Sequence, residues 1–100
     1  MTTFTLPRVI TLEEARSIFL STAPEYLNVK GLLRKTYVLA EDGRTVGGIY
    51  FWNSREEAEA MYTASWRSFV QEKYGTEPEV TYFESPVVVD NQSQTILDDE

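Results

Sequence analysis

The sequence predicts an α+β domain whose elements run β-α-β-β-α-β, and three observations predict it. A β-hairpin pattern lies at the centre of the chain, two helix starts with capping-box chemistry flank it, and a short strand pattern stands at each end. The hairpin is the stretch Gly31–Trp52, in which two runs rich in β-branched and aromatic residues surround Asp42-Gly43, a dipeptide suited to a tight hairpin turn.

The first element is the alternating Phe4-Thr5-Leu6, ended by Pro7. Thr11 then opens a capping box with Glu14, and Leu12, Ala15, Phe19 and Ala23 follow at helical spacing, with Ile18 and Thr22 beside them. Pro24 disfavours continuation of that helix. With Asp42 and Gly43 as the two loop residues, Leu33 faces Trp52, Lys35 faces Tyr50, Tyr37 faces Gly48 and Leu39 faces Val46 on one face of the hairpin. Leu32, Arg34, Thr36, Val38, Gly47, Ile49 and Phe51 occupy the other. Ser54 and Glu57 form a second capping box before Ala58, Met61 and Tyr62. Trp66, Phe69, Val70 and Tyr74 then continue a helical stripe that Gly75 stops. Spacing alone leaves open whether residues 54–74 are one kinked helix or two short ones. Val80-Thr81-Tyr82-Phe83 reads as the last strand, and Val87–Val89 as a short apolar extension beyond Ser85-Pro86. Residues 1–91 are thus expected to form a single domain, and residues 92–100 a mobile acidic tail.

This order is the split βαβ plan of ferredoxin-like folds, with an antiparallel sheet and both helices on one face. Large apolar residues on both hairpin faces leave the far side of the sheet in need of cover. The expected remedy is a homodimer joined sheet to sheet, a dimeric α/β barrel, with Val87–Val89 adding to an edge strand of the partner.

Composition narrows the chemistry. The 100 residues carry a net charge of −7, which opposes binding to a phosphate backbone, so nucleic acid is not an expected partner. There is no cysteine, hence no disulfide framework or thiolate metal site, and no histidine, which removes the usual general base and the commonest metal ligand. No EF-hand loop is present, and the glutamates at 56, 57 and 59 read as a solvated helix face near a helix N-terminus. No metal and no cofactor are expected. The N-terminal residues lack a secretory pattern, and no apolar run approaches the roughly 18–20 residues that a membrane span needs. A cytoplasmic protein away from membranes is the expectation.

The candidate site is the polar-aromatic hairpin face: Lys35, Tyr37, Tyr50 and Trp52, with Gly48 leaving space opposite Tyr37. It reads either as a pocket wall for a planar ligand or as cross-strand packing at a dimer interface. Lys35 on such a face must find a carboxylate such as Glu79 or Glu84, snorkel to water, or titrate downwards and serve as a base. Tyr62 and Trp66, four residues apart, share a helix face that either packs in the core or lines the same cavity, and Tyr82 is similar.

The runs GLLRKTYVL…GGIYFW, SREEAEAMY, WRSFVQEKYG and PEVTYFESPVVVDN, preceded by APEYLNVKGL, resemble the YdhR-like monooxygenase family of the dimeric α/β-barrel group, related to antibiotic-biosynthesis monooxygenases. Lys35-x-Tyr37, Gly47-Gly48-x-Tyr50-x-Trp52, Trp66-Arg67 and Tyr74-Gly75 carry the resemblance, which spans about Phe4 to Asn91. It implies the fold and the dimer, and less about the reaction. Joined to the residues present, it leads to the expectation of a cofactor-independent monooxygenase acting on a small electron-rich aromatic molecule. Lys35 or a tyrosinate would be the base, Tyr37 and Tyr50 would hold the oxyanion, and Trp52 and Trp66 would flank the ring. Lys35 and Tyr50 are accordingly the catalytic candidates, and Tyr37, Trp52, Tyr62, Trp66 and Tyr82 the substrate-binding ones. A proton-transfer isomerase or cyclase on the same scaffold and a non-catalytic small-molecule binding module are the alternatives.

Overall fold

Four strands order themselves β2-β3-β1-β4 in a fully antiparallel sheet in the computed structural model, which describes residues 1–98. The elements are β1 (Thr2–Thr5), α1 (Leu12–Thr22), a 3-10 turn (Ala23–Tyr26), β2 (Leu32–Leu39), β3 (Thr45–Trp52), α2 (Arg55–Met61), α3 (Ala64–Tyr74) and β4 (Glu79–Val80). A second sheet of two strands, β5 (Val87–Asp90) and β6 (Thr95–Asp98), follows. The protein is therefore a small α+β domain, and among the described residues no helix is long and apolar enough to cross a membrane.

The capping residues do what their chemistry requires. The Thr11 hydroxyl accepts from the Glu14 amide at 3.1 Å, and the Glu14 carboxylate accepts from the Thr11 amide at 3.1 Å, so α1 starts on a complete capping box. At α2 the exchange is half made: Ser54 Oγ accepts from the Glu57 amide but donates to the Glu57 carboxylate instead of freeing it for the Ser54 amide. Thr63 settles the helical stretch as two helices, because its hydroxyl accepts from the Trp66 amide and starts α3 afresh. Gly75, with φ of 77°, ends α3 in the left-handed conformation. Pro24 turns α1 into the 3-10 segment.

The hairpin keeps the expected pairing from Arg34 to Leu39, with Lys35 opposite Tyr50, Tyr37 opposite Gly48 and Leu39 opposite Val46. Its loop is Glu41–Arg44 and not Asp42-Gly43 alone, and Ala40 is bonded across to Thr45. Lengthening the loop by one residue on each side leaves the opposed pairs unchanged. The Asp42 carboxylate organises the loop by accepting from the Arg44 and Thr45 amides and the Thr45 hydroxyl at 2.8–2.9 Å. One pairing differs. A register shift between Leu32 and Arg34 places Leu32, not Leu33, opposite Trp52, and the bulged Leu33 is 70% exposed.

Phe4, Leu6, Val46 and Tyr50 from the sheet meet Ala15, Ala58, Tyr62, Trp66 and Val70 from the helices in one core. Leu12, expected on the buried stripe of α1, stands out at 76% exposure as the first residue after the Thr11 cap. The opposite sheet face carries Thr36, Val38, Ile49 and the 43% exposed Phe51 with no helix over it.

The end of the chain differs most from the sequence reading. The strand expected over 80–83 is assigned only to Glu79–Val80, opposite Thr3 and Thr2; Thr81 still exchanges two backbone hydrogen bonds of 2.8 Å with Met1, and residues 82–86 run on without regular structure. Beyond Asp90, where a mobile tail was expected, Thr95–Asp98 pair with Val87–Asp90. The Asp90 carboxylate closes that turn by accepting from the Gln92 and Ser93 amides. Asp99 and Glu100, the end of the expected tail, lie outside the described residues. The β5–β6 arm projects: the Cα radius of gyration is 14.7 Å, against about 13 Å for a spherical domain of this length.

Candidate functional site

Alternation along β2 and β3 turns Lys35, Tyr37, Gly48 and Tyr50 toward the helices, and α1 with its 3-10 extension closes over them. The result is a cavity of about 20 Å³, room for one or two water molecules. Its walls include Lys35, Tyr37, Tyr50 and Trp66 among the predicted residues, together with Thr2, Phe19, Thr22, Tyr26 and Tyr74. Lys35 is the only charged side chain lining it.

The Lys35 amine sits in an aromatic cage. Nζ lies 3.2 Å from the centroid of the Tyr26 ring, 4.0 Å from that of Tyr37 and 4.7 Å from that of Tyr50. The expected carboxylate partner is not found: the ion pairs among the described residues are Arg8–Glu14 and Arg55–Glu59, both on the surface. Burial without a counter-charge lowers the Lys35 ammonium from 10.5 to about 7. Three ring faces return part of the lost hydration, each cation–π contact contributing roughly 0.5–2 kcal/mol. Gly48 explains how the amine fits, because a Cβ there would stand 3.0 Å from Lys35 Cε and 2.9 Å from Tyr50 Cε1. The space beside Gly48 is thus filled by the lysine stem and the Tyr50 ring.

The phenols respond in the opposite direction. Burial raises Tyr50 far above the ordinary phenol range, and the neighbouring Tyr26 adds to the effect. Burial also raises Tyr37, and pushes Tyr74 up to about 12. The Thr22 hydroxyl donates to the Phe19 carbonyl at 3.2 Å, so in its 2.8 Å contact with Tyr37 the phenol is the donor. These tyrosines keep their protons through neutral pH. Of the two bases offered by the sequence, lysine and tyrosinate, the amine alone has a proton affinity suited to the task.

The other predicted residues divide across a second space. Trp52, Tyr62 and Tyr82, together with Tyr50, line an open groove of about 560 Å³ between the end of β3, the start of α2 and residues 81–85. Tyr50 and Trp52 stack at 6.1 Å, and Trp52 Nε1 donates to the Tyr62 hydroxyl at 3.1 Å. Tyr82 lies 6.1 Å from Tyr62, and the Arg55 guanidinium covers its ring at 4.1 Å. Trp66 connects the two regions, touching Tyr62 at 4.9 Å and donating from Nε1 to the Tyr26 hydroxyl at 3.0 Å. Tyr50 borders both spaces.

Sequence reasoning missed Tyr26, the residue nearest the amine. It stands on an irregular turn, where no periodicity reports which way a side chain points. The only available signal was Pro24 ending the helix just before it. Comparison of the chain with protein-family models, with curated proteins and with solved structures returns no match.

Proposed function

We propose that this protein is a cofactor-independent monooxygenase acting on a small electron-rich aromatic molecule, with Lys35 as its base. The observation that carries the reading is the Lys35 amine, enclosed by tyrosine faces with no carboxylate beside it and held near neutrality. In the proposed reaction the neutral amine takes a phenolic proton, the resulting electron-rich anion reacts directly with oxygen, and the protonated phenol of Tyr50 donates to the developing oxyanion, joined by that of Tyr37 once it turns from Thr22. The cavity of about 20 Å³ is far below the roughly 150 Å³ that holds a benzene ring. Tyr26 supplies the missing room: its half-buried ring on the 3-10 turn covers the amine where a substrate ring would lie, and its displacement opens the site.

The finer fold assignment belongs to the same proposal. The strand order β2-β3-β1-β4 with antiparallel pairs supports a ferredoxin-like arrangement, and the residues quoted above support kinship with YdhR-like monooxygenases. The exposed Phe51, beside the half-buried Val38 and Ile49, supports a homodimer through the sheet face away from the helices, which would complete a dimeric α/β barrel.

Oxygen uptake with hydroquinones, naphthols and anthrones tests the chemistry. Turnover that consumes oxygen and falls at least a hundredfold in Lys35→Met is expected; a blank across the panel would remove the reading. The groove of about 560 Å³, a typical size for a ligand site, favours a second reading as a small-molecule binding protein. Persistent ligand binding without turnover would select it, and turnover under strict anaerobiosis would select a proton-transfer enzyme.

A further inference from the structure

The Lys35 cavity has a chemical property that proton abstraction does not use. Its amine is a nucleophile as well as a base, and a lysine desolvated among apolar walls is the form that attacks carbonyl carbons. The cavity, about 20 Å³ with one charged side chain, restricts any carbonyl partner of the amine to the smallest neutral molecules. No second cation lines it to receive a carboxylate, so a keto acid is disfavoured. The aromatic cage is suited to the product: an iminium keeps a positive charge on Nζ, where three tyrosine faces already stand at 3.2–4.7 Å.

We infer that Lys35 captures small aliphatic aldehydes reversibly as an imine within its tyrosine cage. This rests on the geometry of the Lys35 site and not on oxygen chemistry. The step balances with no oxidant. The nitrogen lone pair forms the C–N bond as the carbonyl π pair moves to oxygen, and one amine proton passes to that oxygen to give the carbinolamine. The hydroxyl then departs with the second amine proton as water, leaving a C=N bond, and protonation from solvent gives the iminium. The raised phenols of Tyr37 and Tyr50, which hold their protons at neutral pH, are suited to assist loss of the hydroxyl. The lowered proton affinity of the amine agrees with this role, since it leaves a large neutral fraction at pH 7.

The chain contains its own controls, for its other lysines, Lys30 and Lys73, are exposed. The intact protein is incubated at pH 7 with dilute acetaldehyde and cyanoborohydride, which delivers hydride to the iminium carbon and fixes it as an ethylated secondary amine. Peptide mapping then gives the rate at each lysine. At least tenfold faster ethylation of Lys35 than of Lys30 and Lys73 is expected, with the preference abolished in urea. Equal rates in the folded protein, or slower labelling of Lys35, would overturn the inference. Because no oxygen or phenol is involved, Lys35 labelling combined with a blank oxygen assay would leave this inference standing while the monooxygenase reading fell.

Discussion

Replacing Lys35 with Met removes a buried group whose ionisation opposes folding at neutral pH, and this makes stability itself a probe of the site. The ammonium titrates at 10.5 when free and at about 7 in the fold, so unfolding takes up a proton anywhere between those values. Stability must therefore rise with pH across that window and fall as pH drops toward 7. Between pH 7 and pH 9.5 the linkage amounts to about 3 kcal/mol. With a urea slope of roughly 1–1.5 kcal/mol/M for a domain of this size, the wild-type midpoint should move up by about 2 M. The upper limit is set below pH 10 because Tyr50, Tyr62 and Tyr74 are all raised in the fold, and their ionisation on unfolding reverses the trend there. Lys35→Met has a side chain of similar reach with no charge, and should show a nearly flat midpoint over the same range and greater stability at pH 7. Urea titrations followed by tryptophan fluorescence at half-unit pH steps measure both. A flat wild-type curve, or a rise that persists in Lys35→Met, would refute the reasoning.

Two further substitutions test the frame that holds the site. Gly47→Ala would drive its Cβ into the Thr2 carbonyl, a backbone group that cannot yield, so a loss of about 2 kcal/mol or more is expected in thermal unfolding. Gly48→Ala meets the Lys35 stem and the Tyr50 ring, side chains and not backbone, and should cost less, about 1 kcal/mol; equal effects at the two positions would contradict the register. Trp66→Phe deletes the hydrogen bond that anchors Tyr26 over the amine, at a cost of about 1 kcal/mol and roughly 4–8 °C in Tm. It should also increase access of quenchers and reagents to Lys35, and unchanged access would show that Tyr26 does not guard the cavity.

The elements best legible in the sequence were those with local chemistry. Asp42 and the alternation around it specified which residues of β2 and β3 oppose one another, and hence that Lys35, Tyr37 and Tyr50 share a face. Thr11 and Ser54 marked two helix starts through hydroxyls that bond within three residues, whereas the third start, at Thr63, went unread because the apolar stripe runs on past it. What failed to show was set by distant partners. The strand after Pro78 is paired only at Glu79 and Val80, with Thr81 bonded to Met1 beyond them, a fact about two segments far apart in the chain. The β5–β6 arm was hidden for a related reason: Thr95–Asp98 looks polar until Asp90 turns the chain and gives Ile96 and Leu97 a strand to pair with. At the site, periodicity located the lysine but not its neighbour, because Tyr26 reaches the amine from a turn. Periodicity likewise grouped Trp52 and Tyr62 with Lys35, whereas the fold divides them between a small cavity and a larger groove that share Tyr50.

Every proposed role of the site rests on a lysine amine that is caged by tyrosines and about half free of its proton at neutral pH. Nuclear magnetic resonance of the protein with carbon-13 at the lysine ε position follows each of the three lysine side chains separately as pH is raised. The account predicts that the Lys35 resonance titrates near pH 7 and shifts again when a phenolic substrate is added, with Lys30 and Lys73 as exposed references in the same spectrum. A Lys35 resonance that moves only above pH 9.5, together with the references, would contradict it.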